Sequence, residues 1–103
     1  DEDTLFKALS EQLGLPLVSP DAIDVARMAD ALPKELCVGY RVFPASIEKD
    51  GTLRLAVTRA VVPECLNEIK RHWSGPLKFC LIKESDMLNI LSDLTRMEVG
   101  SQI

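Results

Sequence analysis

Cys65 and His72 are the pair in this chain whose types suit nucleophilic catalysis, a thiol and an imidazole seven positions apart in "CLNEIKRH". An imidazole that takes the thiol proton leaves a thiolate, the reactive form. On a helix, seven positions put both on one face but about two turns, roughly 10 Å, apart, too far for a hydrogen bond between them. The spacing therefore argues against a dyad. His72 is the sole histidine, so the chain cannot furnish a two-histidine metal site. Cys37, Cys65 and Cys80 are odd in number and widely spaced, with no C-x-x-C step, which argues against both a disulfide framework and a zinc site. Each lies among apolar neighbours and reads as a buried small hydrophobe in a reducing compartment. No catalytic, metal-ligating or cofactor-binding residue is assigned.

Paired carboxylates occur in "DED", "KDG" and "KESD", each at an expected helix start or turn where capping and solvation account for them. The five glycines are isolated, and neither G-x-x-x-x-G-K-[ST] nor G-x-G-x-x-G is present, so the chain carries no nucleotide-hydrolysing loop. Lys70, Arg71 and His72 cluster in "EIKRHW" and read as a solvated helix face. With 12 Lys+Arg against 16 Asp+Glu, the net charge of −4 is the wrong sign for a nucleic-acid partner. No apolar run approaches the roughly 20 residues of a membrane span. The acidic first residues do not read as a signal peptide.

The elements that must carry these residues follow from periodicity. The 103 residues are expected to form one domain around one modest core. Leu5, Leu9 and Leu13 recur at helical spacing with Phe6 and Ala8 beside them, and Gly14 and Pro16 stop that helix. "LPLVS" reads as a short buried strand. Two short helices follow, one capped by Asp24 and one begun by Pro33, with Val25, Met28, Leu32, Leu36 and Tyr40 as core positions. "YRVFPASI" and "TLRLAVT" form a hairpin through Asp50-Gly51, with Leu53, Leu55 and Val57 facing the core and Thr52, Arg54, Ala56 and Thr58 facing out. Pro44 marks an edge or a bulge. Pro63 opens a helix ended by Gly75, "PLKFCLI" is a strand, and Ser85 caps a last helix carrying Met87, Ile90, Leu91, Leu94 and Met97. The tail "EVGSQI" is expected to fray. The fold class is α/β (α+β): a mixed sheet of about four strands with helices against it, preceded by an N-terminal helix.

The succession "LSEQLGLPLV", then "ALPKELCVGYRVFPASIEKDGTLRLAV", then helix, strand and helix, resembles the N-terminal domain of the type II secretion and type IV pilus assembly ATPases, the general secretory pathway protein E family. One subset of that family, the MshEN domains, binds cyclic di-GMP through motifs that close in L-x-x-A-L-x-x-Q. Leu5, Ala8, Leu9 and Gln12 match that closing half; the arginine, glycines and Leu-Val of the first half have no counterpart here. The resemblance implies that residues 1–14 end a helical subdomain and residues 15–98 form the α/β core. It implies a non-catalytic docking or regulatory module, cytoplasmic and tethered to the bacterial inner membrane, with a protein partner there and no cofactor. Cyclic di-GMP is implied for the intact parent only. Similar domains lie at the C-terminus of membrane glycosyltransferase-like proteins, phage adsorption protein B among them, and "CVGYRVFPAS" is closer to that branch.

Overall fold

Helix α1 (Glu2–Leu13) opens the chain, with the Asp1 carboxylate accepting from the Thr4 N–H at 2.8 Å and Gly14 closing it in the left-handed region at φ 68°. The computed structural model describes residues 1–101, and their side chains through Arg96. After a 3₁₀ turn at Pro20–Ala22 come α2 (Val25–Met28), capped by Asp24, and α3 (Lys34–Tyr40), whose N-cap is Pro33. Strands β1 (Val42–Ile47) and β2 (Leu53–Val57), helix α4 (Pro63–His72), strand β3 (Leu77–Leu81) and helix α5 (Glu84–Ser101) complete the order.

The sheet order is β1-β2-β3, antiparallel between β1 and β2 and parallel between β2 and β3. The hairpin turns through Glu48 and Gly51: the Gly51 N–H donates to the Glu48 carbonyl at 3.0 Å, Gly51 takes φ 90°, and the Asp50 carboxylate accepts the Thr52 N–H at 2.9 Å. Only glycine adopts that φ without a steric penalty. The β1 register slips between Pro44 and Ser46, so the proline falls beside a bulge on an edge strand, as its missing N–H requires.

Register and burial together show where the core lies. Val42, Val57 and Leu81 form one cross-strand row, and Phe43, Ala56 and Cys80 form the adjacent row on the opposite face. All six are 3% exposed or less, so this end of the sheet is covered on both sides. Ala56, expected to face solvent, is buried for that reason, since β2 is the central strand of a sheet packed on two faces; Thr52, also expected to face solvent, is buried in the turn that leads into β2. The far end is open, with Ser46 and Arg54 half-buried and Lys78 exposed.

Four further expectations are corrected. The expected strand "LPLVS" is a single parallel bridge of Leu17 to Leu81, so the sheet has three strands and not four. Pro16, which has no N–H, contributes only its carbonyl to Leu81, and Val18 donates to the Leu81 carbonyl before Pro20 turns the chain. Gly75 does not end α4, which stops at His72. A Cβ on Gly75 would lie 2.9 Å from the Gly51 carbonyl oxygen and 3.0 Å from the Trp73 indole nitrogen, so the glycine permits a close backbone approach. Ser85 does not cap α5, which begins at Glu84; it stands in the first turn. Helix α5 reaches Ser101, past the point where fraying was expected; Gln102, Ile103 and the Met97 side chain lie outside the described residues.

Candidate functional site

Two faces of α1 have to be distinguished, because residues spaced by four do not stay in line on a helix of 3.6 residues per turn; each such step advances about 40°. Leu5, Leu9 and Leu13 therefore fan across the surface. The side that meets the core is Phe6, 5% exposed, with Leu9 and Leu13 packed partly buried beside it. Leu5 turns outward and is 63% exposed, and Ala8 and Gln12 are exposed with it. Of the four half-motif positions, Leu9 alone serves both sides. The expected single apolar stripe is thus two stripes, and Leu5, Ala8 and Gln12 are not held by packing within the described chain.

The inner side of α1 is fastened by polar contacts that join residues about eighty positions apart. Glu2 accepts the Ser85 backbone N–H at 3.0 Å and the Ser85 hydroxyl at 2.5 Å. It supplies from another helix the acceptor that an α5 cap would have supplied, and it places a carboxylate at the positive end of α5. Asp3 lies 2.8 Å from the Lys83 ammonium. The Ser85 hydrogen bonds hold the Glu2 carboxyl below its ordinary value, and the Lys83 ammonium does the same for Asp3. The Asp3 contact in turn raises Lys83. At the other end, the Ser10 hydroxyl donates to the Leu15 carbonyl at 2.5 Å and the Leu15 N–H donates to the Ser10 carbonyl at 3.1 Å, closing the turn behind Gly14. With Phe6 as the apolar anchor, these ties set the rotation of α1 and with it the side that faces out. The capping role of Glu2 had no local sequence signal, since its partner is eighty-three positions away.

The residues whose types suit chemistry are dispersed. Cys37, Cys65 and Cys80 are all buried. Burial pushes all three thiols up, Cys37 to about 12, so they stay protonated at neutral pH and lack the thiolate a nucleophile needs. His72 is exposed at the C-terminal end of α4, two turns along the helix from the enclosed Cys65. Lys70 and Arg71 are exposed as well, and Arg71 pairs with Glu68 at 3.4 Å, a solvated helix face as expected. Among the described residues, no group of three His, Cys, Asp or Glu side chains is placed to hold a metal ion, and no helix is long and apolar enough to cross a membrane.

Two recesses lie among the described residues. One, of about 20 Å³, lies among Tyr40, Arg41, Val57 and Val62 and has room for little more than a water molecule. The other, of about 210 Å³, lies between α2 and β1 and is bounded by Asp24, Arg27, Met28, Ala45 and Ile47.

Comparison with known proteins agrees with this geometry. The profile of the family described as "MshEN domain" matches residues 13–101. Among solved structures, the fold is similar to "Structure of MshE with cdg", with TM-score 0.77, 18% identity, and 91% of this chain and 68% of that one covered. It is similar to the N-terminal domain of XpsE in two crystal forms. In the first, the TM-score is 0.70 at 18% identity, covering 89% of this chain and 65% of that one. In the second, the TM-score is 0.63 at 20% identity, covering 81% and 59%. At these identities the likeness is one of fold, and this chain spans roughly two thirds of the length of the structures it matches. No curated protein matches the sequence.

Proposed function

The chain belongs to the MshEN domain family, and from that premise we propose that it is a non-catalytic interaction and regulatory domain of a secretion or pilus-assembly ATPase, acting at the cytoplasmic side of a bacterial inner membrane. In this reading residues 1–103 are one such domain, with 1–14 the end of a helical subdomain and 15–98 the α/β core. The observation that carries it is the outer face of α1. Leu5 is 63% exposed in a helix whose rotation is fixed by Phe6, Glu2 and Asp3, so an apolar side chain is presented outward by design of the contacts behind it. Exposed apolar residues on a rigid element are what an interface requires.

A ligand-sensing role is supported by the same face. The solved relative MshE is described with cdg, cyclic di-GMP, and Leu5, Ala8, Leu9 and Gln12 match the closing half of the motif that binds it in the resembled family. The intact parent is the expected binder, because the first half of the motif has no counterpart in residues 1–103. Nothing in the comparisons supports the membrane glycosyltransferase or phage adsorption protein B branch.

The test uses this chain and the parent protein carrying it. Calorimetric titration with cyclic di-GMP is expected to show binding by the parent and none by the chain alone. Leu5→Asp in the parent is expected to weaken both that binding and co-sedimentation with the cytoplasmic part of the parent's inner-membrane platform protein. Binding and co-sedimentation both unchanged by Leu5→Asp would refute a role for the α1 face.

A further inference from the structure

The recess between α2 and β1 has three properties that the α1 face lacks. Its lining is apolar on the inner side, with Met28 5% and Ala45 7% exposed, and small at two positions, Ala22 and Ala45, which is why a void of about 210 Å³ is left. Its rim carries Arg27, whose guanidinium is exposed and has no partner among the described residues. The neighbouring Asp24 carboxylate is already engaged, accepting the Arg27 backbone N–H at 3.2 Å as the cap of α2.

The third property is an open strand edge. β1 is the end of the sheet. The Glu48 N–H donates to the Thr52 carbonyl at 2.8 Å, so Glu48 points toward β2. Backbone groups alternate along a strand, and Ile47, which also borders the recess, therefore turns its N–H and C=O away from β2. Neither has a hydrogen-bond partner among the described residues, and the Ile47 side chain is 49% exposed. The bulge at Ala45 and the missing N–H of Pro44 end this edge within a few residues, which limits pairing to a short segment and resists sheet-to-sheet aggregation.

Size decides between occupants. At about 210 Å³ the recess is smaller than the roughly 300–1,000 Å³ typical of small-molecule sites. An apolar cavity of roughly 150 Å³ holds a benzene ring, so one bulky apolar side chain fits.

We infer that this recess receives an extended segment of a partner protein, which pairs with the Ile47 backbone, seats one bulky apolar side chain in the cavity and sets an adjacent Asp or Glu carboxylate against Arg27. Main-chain pairing holds the segment and the pocket selects its side chain, the general logic of strand addition at a sheet edge. The inference rests on the interaction reading above and names a second surface for it, independent of α1.

The test is to pan a random octapeptide display library against the full 103-residue chain, then measure the selected peptides by fluorescence anisotropy. Selection is expected to enrich a bulky apolar residue adjacent to Asp or Glu. Ala22→Leu, which fills the recess, and Arg27→Glu, which reverses its charge, are each expected to weaken binding at least tenfold. Replacing the peptide's acidic residue by Lys is expected to restore binding to Arg27→Glu. Both residues are exposed, and an unchanged urea midpoint for each variant shows that the fold is intact. No enrichment, or enriched peptides indifferent to both substitutions, overturns the inference. If that happens while the parent still binds its platform protein in a Leu5-dependent way, the pocket is wrong and the interaction reading stands.

Discussion

Phe6→Ala tests whether α1 is held by one apolar anchor. Phe6 is the buried residue of α1, 5% exposed, and the polar ties of Glu2 and Asp3 lie in solvent, where such contacts contribute little. Burying a Phe side chain is worth about 1.5–3 kcal/mol, which sets the scale of the docking energy lost on truncation. A core Phe→Ala elsewhere costs about 3–5 kcal/mol because the cavity cannot collapse. Here α1 buries Phe6 alone and can undock instead, so the loss should stay local. Native-state hydrogen exchange separates the two cases. The amides of α1 are expected to exchange about 10- to 150-fold faster, the range that 1.5–3 kcal/mol converts to. Those of Leu55 and Val57 in β2 should change less than about twofold, within the few tenths of a kcal/mol typical of remote sites. Leu5→Ala, at a 63% exposed position, is the control and should shift neither set beyond about 0.5 kcal/mol. Equal acceleration in α1 and β2 would show that α1 unfolds with the core. Unchanged exchange in α1 would show that Phe6 is not its anchor.

Docking of α1 should also depend on pH in a signed way. Glu2 and Asp3 are held below their ordinary values of 4.5 and 3.8, so their contribution is present above those values and fades as pH falls through the lower folded-state ones. Lys83 is raised above 10.5, so its contribution is complete below 10.5 and is lost as pH rises through its folded-state value. Near-neutral samples should therefore protect α1 most, and Glu2→Gln should flatten the acid side of an exchange profile; an unaltered acid limb refutes the Glu2 contact. Gly75→Ala forces a methyl against the Gly51 carbonyl and should destabilise by about 1–3 kcal/mol in urea denaturation followed by circular dichroism. A loss no larger than Gly14→Ala at its left-handed turn would argue against the close approach. Cys37, Cys65 and Cys80 should all resist Ellman's reagent at neutral pH until guanidinium unfolds the chain, since burial raises all three thiols; rapid reaction of any one in the folded state contradicts its burial.

Most of the fold was legible locally because its signals are local. Asp24 before an apolar helix, Asp50-Gly51 between two alternating runs, and Pro63 at a helix start each act within a few residues, through caps, turn geometry and fixed φ. The buried thiols followed from their apolar neighbours. Two of the failed expectations had a distant partner: Glu2 supplies the acceptor expected of Ser85, and Gly75 faces the Gly51 carbonyl. At Leu17 the cause was local, since Pro16 and Pro20 limit its pairing with Leu81 to one bridge.

The sequence by itself determined most of the order of elements, the hairpin and the half motif on α1, since periodicity, capping and turn chemistry are properties of neighbouring residues. Only the tertiary structure decided which side of α1 faces out, that Glu2 caps α5, that Gly75 admits the hairpin turn, and that Ile47 and Arg27 border one recess. Each of these depends on residues brought together from far apart in the chain, and burial and hydrogen bonding across such distances leave no mark in local sequence pattern.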